Sequence, residues 1–344
     1  VLFLLFIDKR FIYLIISGFI LGMFFSEIIS YLIYFNLLPY KLKLFNIIIY
    51  EAQGINNPSP FLNHSFYNML LSIVIGLMLY NLLKNKNNFF IKFVSVFFII
   101  TASINLVLVG GRIGYLSYVV IIGVVLFILY EKNTLKKILP TGLLILSMFF
   151  YLAYNNSSQF KIRIDNAISD KEKIFNQDGN DYNSSIGLRI GFWLYSVDVI
   201  KENLFFGVGT GNHMDAVKSK LTKEHKYISN IEHPHNEYIK NLLQFGVIGF
   251  IFFLNIFYQI FKLKIYDEDL KNYLIILTTG VCCLLLTDVF VKNILIIFLL
   301  FISVCTSKTD YLKNYKFNLG IKIISLYITL IMFFLFIFLL EKIY

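Results

Sequence analysis

Apolar residues fill long windows of this chain, and polar residues gather in the connectors between them. A window of about 20 apolar residues is long enough to cross a hydrocarbon core as a helix. Spans are read at 11–34, 65–83, 89–109, 113–130, 138–154, 242–261, 273–289, 291–306 and 320–340. That makes about nine full spans, with an apolar stub at 1–7. The stub has no leading positive charge and no small-residue cleavage site, so it reads as a clipped span and not a signal peptide. A true start before Val1 is expected.

One long stretch escapes the pattern. Residues 155–241 are too many for a linker, and loops beyond about 15 residues carry structure or function of their own. Within it, Ile186–Glu202 sets apolar residues at helical spacing, with Arg189, Asp198 and Lys201 off the stripe. An amphipathic helix against the membrane is expected there, with Trp193 and Tyr195 at the interface. A second helix is expected near 213–223. Tyr40–Tyr50 reads as an interfacial amphipathic piece. The fold class is therefore all-α, a polytopic membrane helix bundle with a large helical loop. Its three parts are 1–154, 155–241 and 242–344.

Charge sets the orientation. The connectors Asp8–Arg10, Lys84–Asn88, Glu131–Lys137, Lys262–Asn272 and Ser307–Leu319 are short and basic, and simple alternation puts all five on one side. Positive connectors mark the cytoplasmic face. The loop 36–64, the Gly110-Gly111-Arg112 turn, the stretch 155–241 and the Asp288–Lys292 turn then share the opposite face.

Composition agrees. The chain is 58% hydrophobic with a mean hydropathy of +0.71, which excludes a soluble domain. The net charge of +10 comes from loop lysines, so no nucleic-acid partner is inferred. Arginine is scarce: Arg10, Arg112, Arg163 and Arg189 are the four among 31 basic residues. Such a chain keeps an arginine at a membrane boundary where a planar fork is needed, as for phosphate. Cys282, Cys283 and Cys305 sit in apolar runs and read as core fillers.

The chemistry centres on His233-Pro234-His235-Asn236, just before a span. A helix N-terminus favours neutral imidazole, so His235 is the candidate general base. Asn236, His233 and His64 are further substrate-contact candidates. Arg112, after two glycines, and Arg189 suit an anion, and a pyrophosphate would fit two such forks. A zinc site is disfavoured, because no acid or cysteine stands at a ligand-like interval from the histidines. Gly207-Val208-Gly209-Thr210-Gly211-Asn212 lacks the βαβ context of a dinucleotide fingerprint and reads as a flexible turn. Asp267-Glu268-Asp269 reads as a solvated acidic turn. Glu27 is a charge within a span, a functional hypothesis by default.

These residues resemble the O-antigen ligase and polymerase superfamily. The match rests on Gly-Gly-Arg112 opening a span and on Arg189 leading a helix that runs into FFGVGTGN. It rests also on His-Pro-His235-Asn-Glu-Tyr-Ile followed by Leu-Leu-Gln-Phe-Gly-Val-Ile-Gly249. It covers roughly 65–300. The resemblance implies an all-helical membrane enzyme with a large periplasmic loop in the bacterial inner membrane. Such an enzyme moves a glycan from undecaprenyl pyrophosphate to an acceptor hydroxyl, on lipid A-core or similar, without cofactor or metal. It further implies His235 as general base and Arg112 and Arg189 on the pyrophosphate. Polymerase action on lipid-linked repeats stays open as the alternative. Protein O-oligosaccharyltransferase action and non-enzymatic transport rank lower. The family often has about twelve spans, more than are read here.

Overall fold

The computed structural model describes residues 9–306 except 45–46, 53, 55–56, 85–88, 131, 176–180, 266 and 291. The expected stub at 1–7, the connector Ser307–Leu319 and the span 320–340 lie outside the described residues. Eleven α-helices follow in order: α1 (Lys9–Tyr34), α2 (His64–Lys84), α3 (Phe89–Val109), α4 (Arg112–Leu129), α5 (Lys132–Asn156), α6 (Ser158–Phe175), α7 (Ser185–Glu202), α8 (His213–Lys218), α9 (Glu237–Lys262), α10 (Glu268–Leu284) and α11 (Lys292–Thr306). The chain is an all-α, multi-pass membrane bundle.

Among the described residues, six helices, α1 to α5 and α9, are long and apolar enough to cross a membrane. The expected spans at 273–289 and 291–306 form the shorter α10 and α11, of 17 and 15 residues. α10 begins five residues early because Asp267 caps it, accepting from the amides of Asp269 and Leu270.

α2 is the hub. It is buried without a break from Tyr67 to Leu77 and packs on α3, α4 and α10. Close approach explains the small residues on these helices. A Cβ at Gly76 would sit 2.3 Å from Ile121 of α4, and one at Gly280 would sit 2.6 Å from Ile73. Some polar groups sealed in this core are paired, as an apolar medium favours, while Ser117 and Thr278 keep hydroxyl oxygens without a partner. Asn68 donates to the Leu106 carbonyl at 3.0 Å, and Tyr67 donates to Asn105 at 2.9 Å.

Two connectors expected on one face, those after α2 and α9, do meet at one end, and the start of α1 joins them. Tyr13 of α1 donates to Asp267 at 3.1 Å, Tyr80 of α2 donates to Asp269 at 2.8 Å, and Lys84 pairs with Asp269 at 2.6 Å. The acidic turn is thus a helix cap and a latch, not a solvated loop.

Other elements differ from expectation. Residues 40–50 hold a two-stranded antiparallel hairpin, β1 (Lys41–Leu44) and β2 (Ile47–Glu51), in which Lys41 bonds Glu51 at 2.5 Å. The alternation Lys-Leu-Lys-Leu carries the strand period of two. α6 was not expected at all, since its charges interrupt any apolar stripe. The second expected helix is only the six-residue α8, followed by a 3-10 turn at Lys226–Asn230.

α9 starts at Glu237, five residues before the expected span, and breaks at Gly246 (φ 62°, ψ −164°). In an unbroken helix the amides of Val247 and Ile248 would bond the carbonyls of Leu243 and Gln244. Instead Val247 N–H donates to the Leu204 carbonyl at 2.8 Å and Ile248 N–H to that of Phe205 at 3.4 Å. The carbonyls of Leu243 and Gln244 accept from Val208 at 2.8 Å and Gly209 at 3.0 Å. The glycine-rich loop is therefore a splint across the break and no free turn. Gly207 (φ 67°) is needed because a Cβ there would lie 2.5 Å from the Leu243 carbonyl oxygen.

Candidate functional site

At the end of the bundle away from the latch, the Gly110-Gly111 turn delivers Arg112 as the first residue of α4. Gly110 takes φ 74°, and a Cβ on Gly111 would come within 2.7 Å of the His64 carbonyl oxygen. Glycine thus lets the starts of α2 and α4 abut, which brings His64 and Arg112 to one wall. α6 sets the Arg163 Nε 3.7 Å from where a Gly110 Cβ would stand. α7 is capped by Ser184, which accepts from Gly187 N–H at 2.9 Å. Its glycines 187 and 191 press on Tyr182 and seat the helix.

These elements enclose a cavity of about 250 Å³. Its lining includes His64, Arg112, Arg163, Arg189, Trp193 and Thr287. Three of the chain's four arginines converge there, and among the described residues no carboxylate lines the wall. The Arg112 Nε is buried with no hydrogen-bond partner, and the nearest acceptor recorded for Arg189 is the Thr287 carbonyl, at 3.5 Å. Burial pulls the Arg189 pKa below the ordinary guanidinium value, and Asp288 partly opposes this. Clustered, half-buried cations repel one another, and an anion of more than one charge relieves that.

The histidine pair stands beside the cavity, and the charge of Arg189, a cavity residue, acts on His235. Three loop contacts fix the pair. Trp193 of α7 donates its indole N–H to the Pro234 carbonyl at 2.7 Å. Asn236 caps α9, accepting from Ile239 N–H at 3.0 Å while donating to the Leu286 carbonyl at 3.0 Å. Glu237 accepts from Phe290 N–H at 2.9 Å, and its own amide donates to the Leu285 carbonyl at 3.0 Å. The Asn236 carboxamide is thus occupied at both ends.

His235 adopts φ 51°, rare for a residue with a side chain. Its ring lies 3.9 Å from that of His233, centroid to centroid. The Nδ1 atoms of both rings are buried without hydrogen-bond partners, and that of His235 faces Asp288 Oδ1 at 4.0 Å. Burial, then Arg189, then His233 push the His235 pKa down to about 4, so the ring is neutral at pH 7. Burial raises the Asp288 pKa, while the Val289 amide, His233 and Arg189 pull it back.

Of the expected site residues, Arg112, Arg189 and His64 share the cavity, and His233, His235 and Asn236 form the adjoining loop. Two further participants were not singled out as site residues from the sequence. Arg163 shared the signal of arginine scarcity but sat in a segment with no expected helix. Asp288 is 53 residues from His235, and no spacing rule reaches it. It also corrects the view that no acid partners the histidines. His233, His235 and Asp288 place one ligand atom each within 4.8 Å of one another, close enough to share a metal ion. The adjacent Arg189 charge opposes a cation there. His213 and His225 are engaged elsewhere, with Gln244 and with Tyr195 respectively.

Comparison with known proteins agrees with this region. An uncharacterized protein of Haemophilus influenzae is 28% identical over 234 residues, which is 64% of this chain. The chain spans 57% of that protein's length in the match. Residues 97–254 match the family model described as O-antigen ligase. That stretch runs from α3 into α9 and holds Arg112, Arg163, Arg189 and the histidine loop, so the likeness to the O-antigen ligase family falls on the candidate site itself.

Proposed function

We propose that this protein transfers a glycan from undecaprenyl pyrophosphate to an acceptor hydroxyl, on lipid A-core or a similar surface glycolipid. One observation carries the reading: three guanidinium groups line a single cavity, and one of them, Arg189, also acts on a neutral histidine. A lipid-linked diphosphate is a multiply charged anion held at a membrane boundary. The enzyme is placed in the bacterial inner membrane, with this end of the bundle facing the periplasm.

In the proposed step the acceptor hydroxyl oxygen attacks the anomeric carbon. The bond from that carbon to the phosphate oxygen breaks, and its electron pair leaves on undecaprenyl pyrophosphate. The hydroxyl proton passes to the free nitrogen of His235. Asp288 faces Nδ1 at 4.0 Å, and its charge favours the tautomer with the proton on that nitrogen, which leaves the Nε2 lone pair open. Arg112, Arg163 and Arg189 neutralise the charge that grows on the leaving group, and preorganised donors of this kind contribute about 3 kcal/mol each. Attack opposite the leaving group inverts the anomeric centre. No metal is needed, because the guanidinium groups supply the positive charge.

The resemblance alone leaves a polymerase, joining lipid-linked repeats, as the second reading. A deletion strain separates the two. Loss of a ligase leaves bare core and polymer stranded on the carrier lipid, whereas loss of a polymerase leaves core capped with one repeat. His235→Ala in membranes that still contain the inserted protein is expected to abolish transfer, and normal transfer would refute the base assignment.

A further inference from the structure

The break in α9 and its splint bear on how the molecule sits in the bilayer. Leu204, Phe205 and Phe206 are exposed, Phe206 to 78%. Next to them on α9, Phe245, Ile248, Ile251 and Phe252 are exposed as well. α9 is apolar enough to span the membrane, so its bare apolar side faces lipid. The loop tip continues that side, because its carbonyls at 204 and 205 are bonded to the amides at 247 and 248.

Non-helical backbone survives in hydrocarbon only if its polar groups are satisfied within the protein. Here the four groups freed by the break at Gly246 are each paired with the loop, and the loop's Gly207 N–H is held by the Asn203 carbonyl at 2.9 Å. Charged residues bound the insertion on one side and uncharged hydrophilic ones on the other. Lys201 and Glu202 precede the tip and are exposed, with Glu202 paired to Lys220 at 2.5 Å; Thr210, Gly211 and Asn212 follow it and are exposed and polar.

We infer that Leu204–Phe206 is a lipid-inserted element, buried in the acyl-chain edge of the bilayer on the side of the arginine cavity, and not part of a water-exposed loop. Its partner is the membrane itself. The inference does not depend on the glycan-transfer reading, since it rests on exposure and backbone pairing alone.

The chain has a single tryptophan, so an added indole is readable. Phe206→Trp and Asn212→Trp are prepared in the full chain and reconstituted in phosphatidylcholine vesicles, with and without lipid brominated near the glycerol end of its acyl chains. The wild-type emission from Trp193 is subtracted. The added emission at 206 is expected to lie to the blue, to be largely lost in brominated lipid and to be unmoved by aqueous iodide. That at 212 is expected to show the reverse. An indole at 206 quenched by iodide and spared by bromine would overturn the inference. So would an indole shielded from both quenchers in a protein that elutes as a dimer, which would assign the patch to a second copy. Phe205→Trp serves the same test if the first variant fails to elute as folded protein.

Discussion

Alanine at Gly246 is the sharpest structural test, because the cost can be worked from positions. A Cβ there would lie 2.4 Å from both the carbonyl carbon and oxygen of Phe205, where ordinary contact begins at 3.4 Å. The loop must retreat by about 1 Å, and backbone cannot yield as a side-chain tip can. That retreat strains or breaks four hydrogen bonds worth about 1 kcal/mol each. The conformation φ 62°, ψ −164° also costs any residue with a Cβ about 1–3 kcal/mol. Allowing partial relaxation, Gly246→Ala and Gly207→Ala are expected to destabilise by about 3–5 kcal/mol. Gly209→Ala has open space but φ 88°, so it loses only about 1–2 kcal/mol. Gly211→Ala meets nothing and takes no positive φ, so it is expected to be close to neutral. Thermal melts in detergent, read from Trp193 fluorescence, give the order, and Trp193 is bonded to the histidine loop itself. A Gly246→Ala protein that melts with Gly211→Ala would refute the splint.

The remaining expectations concern the site. With His235 held near pKa 4, the neutral base persists as pH falls through 6 and is lost only near 4. The kcat/KM profile is therefore expected to have its acid limb near 4, and a midpoint at the ordinary imidazole value near 6.5 would contradict the depressed pKa. Arg189→Gln removes one of the charges that lower it, so the acid limb is expected to move toward higher pH. Arg163→Ala is expected to weaken donor binding about 10- to 100-fold, as for loss of a charged hydrogen bond of about 1.5–3 kcal/mol; isotope-labelled donor binding to proteoliposomes measures it, and unchanged affinity removes Arg163 from the site. Asp288→Asn is expected to lower kcat with KM held, since it disturbs the ring's orientation and touches no substrate; a rise in KM alone would place Asp288 on the substrate instead.

The parts of the molecule legible in the sequence were those with a local signal. The apolar windows gave α1 to α5 closely, and the stripe in Ile186–Glu202 gave α7 within a residue. Arg112 and Arg189 were visible as rare guanidinium groups in a lysine-rich chain. α6 was missed because Lys161, Arg163, Asp165 and Asp170 interrupt its apolar positions, although Phe160 and Ile174 are buried. The hairpin's strand period is written in only four residues, Lys-Leu-Lys-Leu, next to a run of consecutive apolar ones. The role of Gly207-Val-Gly depends on Gly246, and the meeting of Asp288 with His235 depends on two loops closing on each other. Such pairings arise from tertiary contact, and no window of sequence contains them.

α7 serves several parts of the molecule at once. The same 18 residues present Arg189 to the cavity, brace the Pro234 carbonyl through Trp193, reach the α10–α11 turn at Thr287 and end where the lipid-facing splint begins. A nudge to this one rod is felt at every working part together. Random mutagenesis across it should then yield a divided harvest of silent and dead alleles, with few that merely limp.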